Sequence, residues 1–502
     1  MTTRRTPLEA LWASVERAPD ALAVVDREGG SSYERLLARA SGLAVSLRAA
    51  GVHPGDRVLL YMSKSRDALA GIYACWLCGC SYVPMDPASP LVTRQRVLRC
   101  ARARAVLCAD GGVPIAPIPH VVACEVLDGL APRELPPQSD AGTVAAILFT
   151  SGSTGDPKGA AITHANLAAF THWATHAFAL TPNDRLLSHA PWQFDLSFFD
   201  LFAAAACGGA VVLPGEAELS NPLTLARDVR LAGATIWQSV PAALSLQLAA
   251  DSVMPDVRHV LFAGERMPRS TLLGLPRLFP RARFHNVYGC TETNDTFMYS
   301  VPSDPRTAPD PLPIGRALPG VRSRIVDADG RDVERGKAGE LLVAADTVMA
   351  GYASSAAAGG LDRSTSFVAD AYRTRDLVRE GDDGELHFLG RLDALVKVLG
   401  QRVVLTEVEQ HLAGCEGALE VAVLALPDTQ LGTRLLAAVR VACGIDAGSF
   451  ELRLRRHCAD ALPRHSIPRT FCIDVQPLPR TTTGKLDRVA LRERLATHNH
   501  SD

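Results

Sequence analysis

Val144-Ala145-Ala146-Ile147-Leu148-Phe149-Thr150-Ser151-Gly152-Ser153-Thr154-Gly155-Asp156-Pro157-Lys158-Gly159 runs from an apolar stretch into a loop of hydroxyls and glycines that ends on a lysine. The apolar stretch reads as a buried strand over 144–149. The loop reads as a polyphosphate cradle. Glycine lets backbone N–H groups approach an anion, the hydroxyls of Ser151, Ser153 and Thr154 add donors, and Lys158 adds a point charge. The G-x-x-x-x-G-K-[ST] spacing of a Walker A loop is absent. Outward from this stretch, helical spacing over 32–50 (Leu36, Leu37, Ala40, Leu43, Leu47) and a helix over 67–78 alternate with strand-like runs at 57–62, 81–85 and 105–108. Further strands are expected at 210–213, 235–237, 259–262 and 283–288. This alternation predicts an α/β fold with a mostly parallel sheet. Beyond a Pro-rich stretch at 302–319 the pattern changes to short strands (323–327, 340–343, 386–389), a β-rich subdomain. Gly390-Arg391-Leu392-Asp393 reads as a hinge, and about 110 residues remain for a small α+β domain. The expected division is a large N-terminal domain over 1–390 and a small mobile C-terminal domain over 391–502.

The chain has 502 residues, 47% hydrophobic and 21% charged, which excludes a disordered protein. Lys+Arg number 52 and Asp+Glu 54, a formal net charge of −2, so there is no basic footprint for nucleic acid or an anionic membrane. The longest apolar runs, 71–85 and 201–213, fall short of the ~20 residues of a spanning helix. The two arginines of residues 1–7 precede no apolar run, so no signal peptide is expected, and the expected location is cytoplasmic. Twelve cysteines are scattered. Cys75, Cys78 and Cys80 lack a second C-x-x-C or a His pair at ligand spacing, and read as packed, reduced thiols. Only five of the 52 basic residues are lysines, so Lys158 and Lys485, each beside glycine, mark places that need a compact charge.

Four further segments carry chemistry. In Asn286-Val287-Tyr288-Gly289-Cys290-Thr291-Glu292-Thr293 a strand ends at an aromatic able to stack a base, turns at glycine, and presents a hydroxyl and a carboxylate. A carboxylate beside phosphates needs a cation, most simply Mg²⁺. In Tyr372-Arg373-Thr374-Arg375-Asp376-Leu377 an Asp follows a strand, the position that binds ribose hydroxyls in dinucleotide folds. Thr481-Thr482-Thr483-Gly484-Lys485-Leu486-Asp487-Arg488 sets a lysine on a Thr/Gly loop. In Phe194-Asp195-Leu196-Ser197-Phe198-Phe199-Asp200 a carboxylate among aromatics requires a cation, either a protein arginine or a ligand ammonium.

Taken in order along nearly the whole chain, these segments resemble the adenylate-forming (ANL) superfamily, and within it the amino-acid adenylation domains of nonribosomal peptide synthesis. Ser32–Leu36, Leu77–Pro87, Gly339-Glu340-Leu341 and Leu462–Pro468 add to the match. The resemblance implies an ATP- and Mg²⁺-dependent ligase. It would convert an amino acid to an aminoacyl-adenylate and pass it to the phosphopantetheine thiol of a carrier protein, which is expected to be a separate chain. By the same resemblance, Thr150, Ser151, Gly152, Ser153, Thr154, Gly155 and Lys158 hold the β- and γ-phosphates. Thr291 touches the α-phosphate and Glu292 holds the metal. Asn286, Val287 and Tyr288, with Gly264 and Glu265 opposite, frame the adenine, and Asp376 and Arg391 take the ribose. Lys485 bridges carboxylate and phosphate in the transition state, and the small domain swings about Asp393. Asp195 holds the substrate ammonium, with Leu196, Phe199, Gln238, Leu261, Ala263, Val287, Asp295 and Thr296 lining the rest. A small or medium amino acid with an extra amine or hydroxyl, or a β-amino acid, fits that set.

The sequence also departs from the family pattern. Arg375 stands where the family has Gly, Cys290 where it has Pro, and Thr483 where it has Asn. Leu399, Val404 and Thr406 replace Arg, Glu and Gly in the loop that serves thiol transfer. An acyl- or aryl-CoA ligase and an impaired nucleotide-binding scaffold are the alternatives. Asp195 opposes the first, and the presence together of Lys158, Glu292, Asp376 and Lys485 opposes the second.

Overall fold

The computed structural model describes residues 4–89, 91–110, 118–126, 128, 141–150, 157–219, 221–353, 360–364, 366–392, 395–398, 401–428, 432–462, 466–480 and 486–498. The chain forms two compact units. The first comprises 1–323 and 343–373, and the second 324–342 and 374–502. The second thus takes in part of the β-rich stretch that the sequence pattern assigns to a domain ending at 390.

In the first unit, six strands run parallel in the spatial order Leu22–Asp26, Ala210–Val212, Arg185–Leu187, Ile236–Ser239, His259–Ala263 and Arg283–Cys290. Antiparallel strands close both edges: Gly29–Ser32 on one side, Asn294–Ser300 and then Arg316–Ala317 on the other. A second sheet holds Arg57–Tyr61, Ser81–Met85, Ala105–Cys108, His120–Val122 and Val144–Thr150 in parallel. Val144–Thr150 then pairs antiparallel with Lys158–Thr163, Thr150 facing Lys158. The strand before the Ser/Gly segment is thus followed by an antiparallel strand, whereas a Walker loop leads from strand to helix.

Helix placement follows from local sequence. Ser65 caps Arg66–Leu77 by accepting from the Ala68 N–H, and that helix is buried on nearly every side, as its apolar composition requires. Thr163 and Asn166 form a capping box at the start of His164–Ala177. On one face of the first sheet, Trp237, Val260, Phe262 and Phe284 pack against Leu225, Val229, Leu244, Leu272 and Leu275 of the flanking helices. Each large apolar side chain so buried contributes roughly 1.5–3 kcal/mol.

The sequence reading ends a strand at Tyr288. The structure carries it through Gly289 to Cys290 and returns it as Asn294–Ser300. Glycine permits this continuation, because a Cβ at 289 would lie 1.8 Å from the Asn294 carbonyl oxygen.

The second unit packs helices on both faces of a three-stranded sheet of Ala418–Asp428, Gly432–Val441 and Thr470–Asp474. Val423, Leu435 and Val439 meet Val408, Leu412, Phe450 and Leu454 on one side. Leu424 and Ala438 meet Leu478 and Leu491 on the other. Arg488 is tied to Glu409 at 2.7 Å and donates to the Val423 carbonyl at 2.8 Å. Among the described residues no helix is long and apolar enough to cross a membrane.

Candidate active site

In a sheet, paired residues and residues two apart share a face. Gln238 pairs with Leu261, Ala263 with Val287, and Gly289 with Asp295 across the edge hairpin. Gln238, Leu261, Ala263 and Val287 therefore lie on one face, opposite the Trp237 and Phe262 core, and Asp295, which follows a register shift at Tyr288/Gly289, is near enough to Gln238 for that amide to act on it. Those four sit at the carboxyl ends of the parallel strands, where open α/β sheets bind ligands. The layer facing them includes the π-helical turn Phe199–Ala203, a distortion common at functional sites. Phe199 stacks edge-on to Phe178, whose ring lies 5.3 and 5.2 Å from His259 and His285 on the same sheet face.

Two buried carboxylates lie near this face. Asp195 accepts a hydrogen bond from the Thr291 hydroxyl at 3.3 Å. Asp295 is pushed up to about 8, first by burial and then by the negative charge of Asp195. Its Oδ2 makes no hydrogen bond, and neither do the amide nitrogen and oxygen of Gln238. Gln238 is close enough to lower the Asp295 pKa, without a hydrogen bond of good geometry. Thr296 donates to the Tyr288 carbonyl at 3.3 Å, and Leu196 is half-buried.

A phenol organises the cluster around Glu292 and Lys158. The Tyr352 hydroxyl donates to Glu292 Oε1 at 2.6 Å and lies 3.1 Å from the Tyr372 hydroxyl. Lys158 Nζ sits 5.3 Å from the centroid of the Tyr352 ring, within cation–π range. Burial and the Glu292 charge push the Tyr352 phenol well above its ordinary value, so it remains a donor. Tyr352 arrives here because Gly351–Ala353 pairs with residues 159–161. The sequence reading missed it: its only local mark is an aromatic hydroxyl after a glycine, and the pairing that makes it useful is long-range. One carboxylate steadied by a phenol, beside a lysine, suits a divalent ion that takes its other ligands from phosphates and water. Among the described residues no group of three or more His, Cys, Asp or Glu could hold a metal by itself. Cys75, Cys78 and Cys80 are free, buried thiols, as expected, and burial pushes Cys80 up to about 12.

On the strand Arg283–Cys290, Asn286 and Tyr288 face away from Val287. Asn286 donates to the Pro313 carbonyl at 2.7 Å, and Tyr288 packs edge-on to Phe297 at 5.9 Å. Gly264, directly after His259–Ala263, has φ +83°, and Glu265 follows half-exposed. In the second unit, Arg391 Nη1 donates to Asp376 Oδ1 at 2.9 Å. Asp376 is buried, and its N–H donates to Thr374, whose hydroxyl donates to the Leu341 carbonyl. Arg375 has φ +63°, the left-handed region that favours glycine. Ser151, Gly152, Ser153, Thr154, Gly155, Asp393, Leu399, Thr483 and Lys485 lie outside the described residues.

Two family models match the chain: AMP-binding enzyme over residues 11–353 and AMP-binding enzyme C-terminal domain over residues 407–485. An L-proline--[L-prolyl-carrier protein] ligase of Pseudomonas fluorescens is 35% identical over 509 residues, covering 96% of this chain and 98% of that protein. A ligase of the same description from Streptomyces coelicolor is 34% identical over 491 residues, covering 91% and 90%. In fold, the chain is similar to ATP-bound MatB from Rhodopseudomonas palustris, with a TM-score of 0.83 at 24% identity over 98% of this chain and 99% of that one.

Proposed function

The chain belongs to the AMP-binding enzyme family, and from that premise we propose that it activates an amino acid with ATP and transfers it to the phosphopantetheine thiol of a carrier protein. In the first step an oxygen of the substrate carboxylate attacks the α-phosphorus. The new P–O bond forms as the bond to the bridging oxygen breaks, and pyrophosphate leaves. Catalysis is then a matter of positioning and charge.

Asp195 anchors the substrate ammonium, and its hydrogen bond to Thr291 couples that anchor to the hydroxyl assigned to the α-phosphate. Lys158 and the 150–155 loop hold the β- and γ-phosphates. Asn286, Val287, Tyr288, Gly264 and Glu265 frame the adenine, and Asp376 with Arg391 takes the ribose. Glu292 would hold Mg²⁺, which neutralises phosphate charge when bound. Lys485 bridges carboxylate and phosphate, carried by a C-terminal domain over 391–502 that moves about Asp393.

The observation that carries this reading is the joining of Lys158, Tyr352 and Glu292 in the same unit as the Thr291–Asp195 pair. The test is amino-acid-dependent exchange of labelled pyrophosphate into ATP. One strong amino-acid signal is expected, lost in Lys485→Ala with ATP binding retained. Folded protein that binds ATP but exchanges with no amino acid would sink the reading.

A further inference from the structure

Asp295 and Gln238 are 5% and 1% exposed, yet Asp295 Oδ2 and both polar atoms of the Gln238 amide have no hydrogen-bond partner. Leaving such groups unmatched is destabilising. They stand together, Gln238 on the sheet face assigned to the amino acid with Leu261, Ala263 and Val287.

A second buried acid provides a contrast. Asp200, on the turn Phe199–Ala203, is also buried with an unpartnered Oδ2, but the charge acting on it is that of Lys64. The charge acting on Asp295 is that of Asp195, and it is negative. The α-ammonium of an ordinary amino acid balances Asp195 and leaves Asp295 to keep its proton, with Oδ2 and the Gln238 amide unmatched; a second cation beside them lets both acids ionise. A hydroxyl or carboxamide would fill an orphaned hydrogen bond but bring no charge.

Resting on the amino-acid adenylation reading above, we propose that the substrate is a short-chain diamino acid, its α-ammonium on Asp195 and its side-chain ammonium shared between Asp295 Oδ2 and the Gln238 carbonyl. The two acids are near enough to feel each other's charge, so few methylenes separate the two nitrogens. The apolar lining accommodates those methylenes. The Gln238 N–H group is then free to donate to the other oxygen of the ionised Asp295.

Pyrophosphate exchange is measured with 2,3-diaminopropionate, 2,4-diaminobutyrate, ornithine and lysine. The comparison set is alanine, 2-aminobutyrate, norvaline, norleucine, proline, homoserine and asparagine. One of the two shortest diamino acids should exceed its apolar isostere by about 100-fold or more in kcat/KM, because a site built around polar partners rejects the analogue that lacks them. Asp295→Val should invert that preference. The isosteric Asp295→Asn should abolish it while keeping the fold, as read by thermal unfolding. Strong exchange with an apolar or neutral polar amino acid, and none with the diamino acids, overturns this inference and leaves adenylation standing. Exchange with no amino acid at all overturns the adenylation reading beneath it. Retention of the diamino preference in Asp295→Asn also overturns the inference.

Discussion

Asp184 and Asp295 are buried aspartates of the same unit, 4% and 5% exposed, and they could hardly be treated more differently. Asp184 Oδ1 accepts from the Thr235 hydroxyl at 2.7 Å and Arg258 Nε at 2.9 Å. Its Oδ2 accepts from Arg258 Nη2 and the Thr181 N–H at 2.8 Å and from the Thr181 hydroxyl at 3.1 Å. Burial alone would raise its pKa, but the hydrogen bonds from Arg258, Thr235 and Thr181 outweigh burial and lower it. Asp295 has another acid for company and an oxygen with no partner. Equal burial therefore does not mean equal purpose. The first acid is matched entirely from within the chain and fastens the strand Arg185–Leu187 to its surroundings. The second is left unmatched, beside residues that we propose take the amino acid.

The contrast breaks most visibly in stability. Asp184→Ala strands the Arg258 charge and should destabilise by about 3 kcal/mol, seen in the urea midpoint, while exchange per folded molecule survives. If Asp184→Ala unfolds no more readily than the parent, Asp184 is not the fastening acid.

The pH dependence should have opposite signs at the two sites. Asp295 keeps in the folded state a proton that the unfolded chain releases near pH 4. Its contribution to stability therefore falls as pH rises from about 4 to about 8. Asp184, with its pKa lowered, contributes stability that is present at neutral pH and lost on acidification. Thermal unfolding of ligand-free protein should show Asp295→Asn gaining on the parent from pH 5 to pH 8. A constant offset would contradict this account of Asp295.

Glu292 stands between the two extremes, with Tyr352 as a donor. Tyr352→Phe keeps the ring beneath Lys158 and loses the hydroxyl. It should raise the Mg²⁺ concentration for half-maximal exchange roughly tenfold, about 1.4 kcal/mol, with little change in amino-acid KM. Tyr352→Ala should also raise the ATP KM. An unchanged Mg²⁺ profile in Tyr352→Phe would leave Tyr352 a packing residue.

The smallest effect is expected beside Asp376. Arg375→Gly relieves a left-handed backbone that costs an L-residue about 1–2 kcal/mol, partly offset by glycine's freedom in the unfolded chain. The variant should be equally active and more stable by less than about 1 kcal/mol in urea unfolding. A loss of ATP affinity would mean that the exposed Arg375 side chain touches the nucleotide.

Much of this was legible in the residues. Ala105–Cys108 is a strand with the expected bounds, and Arg66–Leu77 differs from the expected helix by one residue at each end. Such elements carry their own period, caps and breakers. Two features were hidden because their causes are distant. Tyr352 meets Glu292 only through the pairing of Gly351–Ala353 with residues 159–161. The strand through Gly289 reads as a turn until the Asn294 carbonyl is seen filling the space a side chain would occupy. The residue type of Arg375 does not mark its left-handed backbone; the glycine of the family pattern at this position does. At the candidate site, residue types showed which side chains could meet an ammonium or a phosphate. They did not show that Asp295 and Gln238 come together with three unpartnered polar atoms, since that follows from long-range strand pairing and a register shift in the edge hairpin.

The hairpin Arg283–Ser300 has a consequence for how such an enzyme is redesigned. Within eighteen residues it carries Asn286 and Tyr288, Thr291 and Glu292, and Val287, Asp295 and Thr296, the residues assigned here to base, phosphate with metal, and amino-acid side chain. A transplant of the whole hairpin into a relative would move all three preferences at once. Within this hairpin, a change of amino-acid preference alone therefore calls for single substitutions, and position 289, walled in by backbone, offers no alternative residue to try.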